Sequence, residues 1–197
     1  MKEIDLPLSS VSQLVSIEVV SSTQNVAREL ALQGAPDGTL VLAYEQTQGR
    51  GQYERSWDAK RGGIYFTLLL RPTQTVNHTG PLSLRTARAV CETLQKMFGI
   101  KTKIKHPNDV LAWEEKTHTW KKICGILIES STTVNQTQWL LVGVGINVNN
   151  PLPAALKDTA TSVKKIIGRE TDPEWILQEV LEAFFAQYAQ WHLSSQI

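Results

Sequence analysis

Most simple signatures of function are missing from this sequence. There are only two cysteines in 197 residues. Cys91 and Cys124 both sit inside apolar segments, which argues against a disulfide framework and for two buried free thiols in a reducing compartment. Charge of one sign is also lacking: 20 Lys and Arg against 19 Asp and Glu leave a net charge of +1. No global field draws the chain to DNA or a membrane surface, so any anion binding has to be local. No apolar run approaches transmembrane length, and Met1–Ser10 has no signal-peptide core. The expectation is a cytoplasmic protein in which the sequons at Asn77 and Asn135 are accidental. Repeats and low-complexity tracts are absent. No Ser-His-Asp or Cys-His arrangement stands out, and His106, His118 and Cys124 lack zinc spacing.

What remains is ordinary globular material. Hydrophobic content is 42% and mean hydropathy −0.19, which suits a single domain of this length. Val15–Val20 reads as a strand, and Ser21-Ser22-Thr23 offers an N-cap for a helix over Gln24–Gln33. Thr39–Glu45 and Gly63–Arg71 read as strands flanking a polar loop. Pro81–Phe98 is a helix with a stripe of Leu84, Ala87, Val90, Cys91, Leu94 and Phe98. Lys101–His106 alternates like an edge or half-exposed strand, is interrupted at Pro107-Asn108-Asp109, and resumes over Val110–Trp113. Glu114–Thr119 is a hairpin tip. Lys122–Ser130 and Gln138–Asn147 are strands joined by the turn Ser131–Asn135. Thr161–Ile167 reads as a short helix, and Asp172-Pro173 opens a last one, through about Trp191, with Ile176, Leu177, Val180, Leu181, Phe184, Tyr188 and Trp191 on its apolar face. Strands separated by short turns outnumber helices. The fold class expected is α+β, with a mixed, mostly antiparallel sheet packed against helices.

Four segments carry chemistry. The loop Gln46–Trp57 holds two glycines and two arginines and few aliphatic side chains, as a mobile loop wrapping an anion would. It is neither a dinucleotide fingerprint, since position 54 is Glu, nor a P-loop, since no Gly-Lys-Ser/Thr follows. Gly49 and Gly51 permit close backbone approach, and Arg50 and Arg55 match phosphate or carboxylate geometry. An exposed turn explains the composition equally well. In Lys105-His-Pro-Asn-Asp109, Asn108 suits a base or ribose edge, and Asp109 could hold Mg2+ or orient a lysine; a capped turn is the simpler reading. Lys122 stands at the mouth of a buried strand with Gly125 inside it, although Lys121 competes for the role. Gly143-Val-Gly-Ile-Asn147 pairs strand glycines with a polar amide, as close approach of a flat ligand or a bend would.

Together and in this order, these motifs resemble the biotin protein ligase family. The matching residues are Ser22-Thr23-Gln24-Asn25, Gln46-Thr47 with Gly49-Arg-Gly51 through Trp57, Lys105 with Pro107-Asn-Asp109, Lys122 with Gly125-Ile-Leu127, and Gly143-x-Gly-Ile-Asn147. The resemblance implies a class II synthetase-like catalytic domain over residues 1–197. It leaves no room for the family's N-terminal winged-helix domain before Val15 or its C-terminal barrel after the last helix. It implies formation of biotinyl-5′-adenylate from biotin and ATP with Mg2+, then transfer to a lysine of a biotin carboxyl carrier domain, usually that of acetyl-CoA carboxylase. DNA and membranes are not implied as partners, and a homodimer is left open. Lys122 and Arg50 would be catalytic. Ser22, Thr23, Gln24, Gln46, Gly49, Arg50, Gly51, Gln52, Lys122 and Gly125 would bind biotin. Arg50, Arg55, Trp57, Asn108, Lys122 and Asn147 would bind ATP, and Asp109 would hold the metal. A lipoate or octanoate ligase or transferase is the nearest rival reading. A nucleic-acid-binding module is disfavoured by the single short basic loop.

Three positions depart from the family pattern. Gln52 stands where arginine is frequent, Glu54 where glycine is frequent, and His106 where tryptophan is usual. Gln52 loses a cationic donor, and Glu54 adds a negative charge to an anion-binding loop. A leakier adenylate follows. The Gln52→Arg, Glu54→Gly double variant should release adenylate more slowly than the unaltered chain, and equal release rates would overturn this expectation.

Overall fold

The computed structural model of the chain describes residues 10–73, 76, 78–133 and 136–194. The expectations for Met1–Ser9, for the sequon residues Asn77 and Asn135, for the tip of the Ser131–Asn135 turn, and for the side chains of Glu54 and Trp191 lie outside the described residues.

The elements in chain order are β1 (Gln13–Val20), α1 (Thr23–Leu32), β2 (Thr39–Gln46), β3 (Ile64–Leu70), α2 (Gly80–Phe98), β4 (Thr102–Lys105), β5 (Asp109–Glu114), β6 (Thr119–Thr132), β7 (Thr137–Ile146), α3 (Val163–Ile167) and α4 (Pro173–Ser194). The strands form one seven-stranded sheet in the order β1-β2-β3-β7-β6-β5-β4. β1 and β2 run parallel because α1 crosses between them. The other neighbours are antiparallel, so the mixed, mostly antiparallel α+β architecture is as expected.

The two sheet faces are covered unequally. On one, α2 and α4 close the main core around Leu68, Leu94, Ile126 and Leu181. On the other, α1 alone packs Ala27 and Ala31 against Val41, Leu69 and Leu141. That smaller cover leaves the β6–β5–β4 part of this face open.

Two expectations change. The segment around Pro107–Asn108 is not a break in one strand but a reversal: β4 and β5 pair antiparallel, with Ile104 opposite Val110. Proline and Asn-Asp favour a turn more strongly than the alternation favours one continuous strand. β4 lies at one edge of the sheet and β1 at the other. In α2 the fully buried set is Leu82, Ser83, Thr86, Ala87, Ala89, Val90, Thr93 and Leu94, whereas Leu84, Cys91 and Phe98 are only half-buried. The helix lies between the sheet and α4, so it buries two sides. Its small hydroxyl residues fit there because their O–H groups bond to main-chain carbonyls, Thr86 to Leu82 at 2.8 Å and Thr93 to Glu179 at 3.4 Å. Both cysteines are free; Cys124 is buried and Cys91 half-buried. Among the described residues no helix is long and apolar enough to cross a membrane.

An ion cluster around a buried carboxylate pins the start of β6. Glu114, 3% exposed, takes Lys121 at 2.7 Å and Lys165 at 3.0 Å, and Lys121 Nζ also donates to the Lys157 carbonyl at 2.9 Å. Burial by itself disfavours the carboxylate, but hydrogen bonds from Lys121 and Lys165 outweigh it and hold Glu114 below its usual range. Its stabilisation is therefore complete above the range where an unfolded glutamate titrates, and it falls away as pH drops toward the lower folded value. Glu114→Gln should cost about 3–5 kcal/mol by leaving Lys121 buried without its counter-charge. It should also remove that part of the acid dependence, both readable by urea denaturation across pH.

Candidate active site

Lys122 and Gly125 are separated by an odd interval and would face opposite ways in a regular strand. The β5–β6 pairing skips Ile123: Val110 sits opposite Cys124, and Leu111 opposite Lys122. This bulge turns Lys122 and Gly125 to the same, open face. It also separates the two lysines. Lys121 is the buried partner of Glu114, and Lys122 projects into the open side with its ammonium 2.6 Å from Asp109 Oδ1. Asp109 thus orients a lysine. The main chain of Lys122 is fixed by bonds to the 159–161 segment, Lys122 N to Thr159 O at 2.8 Å and Thr161 N to Lys122 O at 2.9 Å.

The floor beside Lys122 is made of glycine. Gly125 and Gly145 are direct cross-strand partners, and Gly143 pairs with Leu127. A Cβ at Gly145 would lie 2.6 Å from Trp57 Nε1, and one at Gly125 2.9 Å from Trp57 Cζ3. The two glycines therefore make room for a flat ring, which here is the Trp57 indole. Lys122 Nζ lies 5.2 Å from its centroid, and its Nε1 is buried without a partner.

Trp57 is delivered by the Gln46–Trp57 segment, which is a closed hairpin rather than an open loop. Trp57 N donates to Gly49 O at 2.8 Å, and Gly51 N to Arg55 O at 2.7 Å. Gly49 is required because a Cβ there would meet Trp57 O at 2.4 Å. Tyr53, at φ 55°, forms the exposed tip. Arg50 is tethered by Glu129 at 3.0 Å, and Glu129 also holds Arg28 at 2.6 Å.

Two cavities meet at Lys122 and Trp57, which line both. The first is narrow, about 50 Å³. Ser22, Thr23, Gln24, Gln46, Arg50, Gly51, Gln52 and Gly125 line it, together with Asn108, which was expected on the nucleotide side; Gly49 instead borders the hollow outside the hairpin. Ser22 starts α1 but makes no side-chain cap bond. Gln46 Oε1 accepts from Thr23 N at 2.8 Å and Thr23 Oγ1 at 3.2 Å. Gln24 Nε2 donates to Leu127 O at 3.2 Å, while Gln24 Oε1 is buried without a partner. The second cavity, about 380 Å³, includes Asp109, Asn147, Lys105, Trp120 and Asp158. Asn147 is 3% exposed, and its amide is engaged by the protein itself, with Thr161 O at 3.1 Å and Asn150 Nδ2 at 3.2 Å. Asn108 likewise donates to Ile126 O at 2.9 Å. Arg55 lines neither cavity and faces the hollow on the outer side of the hairpin, so the structure does not bring it to Lys122.

Among the described residues no group of three or more His, Cys, Asp and Glu could hold an ion, and Asp109 is committed to Lys122. Asp58 lines the second cavity, and its Oδ2 is buried without a partner. One such carboxylate suits a Mg2+ carried in mostly on phosphate oxygens. Asp58 fits that task better than Asp109.

A profile of the biotin/lipoate A/B protein ligase family matches residues 16–147. The chain belongs to this family. Among its relatives, the bifunctional ligase/repressor BirA of Bacillus subtilis is 40% identical over 179 residues, covering 89% of this chain and 53% of the relative. The biotin–[acetyl-CoA-carboxylase] ligase of Paracoccus denitrificans is 35% identical over 175 residues, 86% of this chain and 70% of the relative. The ligase-family fold is shared with the biotin protein ligase of Aquifex aeolicus in complex with biotin and ATP, at TM-score 0.78 and 33% identity over 92% of this chain and 72% of that one. The chain spans about half the length of the BirA relative it matches.

Sequence reasoning missed Asp58, Trp120, Glu129 and the 152–160 segment. Period two along β6 places Trp120 with Lys122, so that signal was available. Nothing local signals Asp158 and Thr159, which arrive through the tertiary pairing with Lys122. Gly145→Val should expel the Trp57 indole and cost about 1–3 kcal/mol in stability, and increased acrylamide quenching of Trp57 in a variant whose other tryptophans are replaced would report the displacement.

Proposed function

We propose that this chain is an ATP-dependent biotin protein ligase. The observation that carries the reading is Lys122 standing at the junction of two cavities, one beside the glycine floor and one bounded by Lys105, Asn147 and Asp158. Relatives bearing the names of biotin ligases support it, as does the likeness to a ligase solved with biotin and ATP.

In the first step a biotin carboxylate oxygen attacks the α-phosphorus of ATP, the bond to the bridging oxygen breaks, and pyrophosphate leaves. The carboxylate is already ionised, so no general base is needed. The barrier lies in bringing two anions together and in neutralising charge on the α-phosphate. Lys122, between the cavities, can touch both anions, and Asp109 keeps its ammonium aimed. Bound Mg2+ supplies further charge neutralisation. Ser22, Thr23 and Gln46 offer donors and acceptors for the ureido ring, and the unpaired Gln24 Oε1 can accept from one of its N–H groups. Trp57 leaves the glycine floor or slides along it as the ring system enters, and Arg50 with Gln52 covers the adenylate and excludes water. In the second step the amine of a carrier-domain lysine attacks the acyl carbon, AMP leaves, and an amide forms. The unpaired thiols of Cys91 and Cys124 fit a cytoplasmic setting.

Incubation with biotin, ATP, Mg2+ and a biotin carrier domain should label the carrier lysine, and Lys122→Ala should lower the rate by at least about a hundredfold. Pyrophosphate release with biotin, but not with lipoate or octanoate, separates the rival acyl substrates. No labelling by the unaltered chain would end the proposal.

A further inference from the structure

Two amides at the first cavity are committed in opposite senses. Gln24 directs its Nε2 to the Leu127 carbonyl at 3.2 Å, and its buried Oε1 has no partner. What Gln24 can offer a ligand is therefore an acceptor. Gln46 has its Oε1 occupied by Thr23, from N at 2.8 Å and from Oγ1 at 3.2 Å. What Gln46 can offer is the pair of N–H donors on Nε2. Both residues line the cavity.

The Gln46 arrangement is set from behind the cavity wall. Thr67, on β3, lines neither cavity and is fully buried. Its Oγ1 donates to Thr23 Oγ1 at 2.9 Å. That bond occupies Thr23 Oγ1 as an acceptor and leaves the Thr23 proton to Gln46. Donation thus runs one way, from Thr67 to Thr23 to Gln46. Thr67 also sits opposite Gly143 in the register of β3 and β7, and a Cβ at Gly143 would lie 3.1 Å from Gln24 Cδ. One row of the sheet meets both residues at the start of α1, with a hydroxyl at Thr23 and an absent side chain at Gln24.

We infer that Thr67 is a positioning residue for the acyl substrate. Without touching the ligand, its hydroxyl fixes which end of the Gln46 amide is left for it, and so sets affinity for a ring that carries a carbonyl beside an N–H. This rests on the reading that biotin occupies the first cavity. Such a ring can accept from Gln46 and donate to Gln24, whereas an octanoate chain or a lipoate dithiolane can do neither. A buried hydroxyl chain with one donor order needs no reorientation when the ligand arrives. The plainer role for Thr67 is to fill space between α1 and the sheet. The two roles respond to different properties of the side chain. Positioning depends on the hydroxyl and packing depends on volume.

Thr67→Ser keeps the hydroxyl and loses a methyl, Thr67→Val keeps the shape and loses the hydroxyl, and Thr67→Ala loses both. Calorimetric titration of the full-length chains with biotin, and separately with ATP, tells the roles apart. Val and Ala should weaken biotin about fivefold, Ser should bind like the unaltered chain, and ATP affinity should hold throughout; either Val or Ala suffices if the other does not fold. Biotin affinity that follows volume, with Val unchanged and Ser and Ala weakened, overturns the inference. So does biotin affinity unchanged in every variant, an equal loss of ATP affinity, or failure of both Val and Ala to fold. In each of these cases biotin binding by the unaltered chain leaves the ligase reading standing. No biotin binding by the unaltered chain overturns that reading and the inference with it.

Discussion

One extra residue in β6 decides where chemistry can sit. Ile123 has no partner on β5, and its insertion reverses the facing of everything that follows. Without it, the side of β6 carrying Lys122 would continue with Cys124 and Ile126, and the small floor at Gly125 would point into the core. With it, a cation and a flat floor lie side by side on the sheet face that α1 leaves uncovered. The buried pair Lys121 and Glu114, joined by the exposed Lys165, anchors the strand just before the bulge. A register slip there would carry Lys121's charge out of its paired site.

The sheet and its helices were largely legible because their signals are periodic. Five of the six expected strands and all four helices lie where alternation, caps and glycine stops put them. The reversal at Pro107 was hidden because β4 and β5 share one pattern on either side of it, and a turn and a break have the same composition. The stripe on α2 was misjudged because Ser83, Thr86 and Thr93 read as surface, while burial between two layers favours small groups that can bond to main-chain carbonyls.

At the site, residue identity was more legible than residue geometry. The family resemblance pointed to Lys122, Gln46 and the strand glycines, and they line one cavity. It could not show that Asn147 is a brace for the 150 and 161 segments, or that Arg55 sits on the outside of its hairpin. Those outcomes depend on hydrogen bonds between distant parts of the chain. Trp57 has both characters: its position in the motif marked it, while its location on the glycine floor follows only from the hairpin that turns it inward.

The arrangement around Glu129 bears on how easily the hairpin arginine can change partners. Arg50 shares that carboxylate with Arg28. An anion entering the cleft competes with Glu129 for Arg50, yet Arg28 stays behind on the helix. The half-buried carboxylate is never left without a counter-ion, so the exchange avoids the desolvation penalty that stranding a charge would impose. The hairpin can thus pass Arg50 from a protein anion to a ligand anion without stranding Glu129, and Arg28, which lines neither cavity, is what makes that exchange shallow.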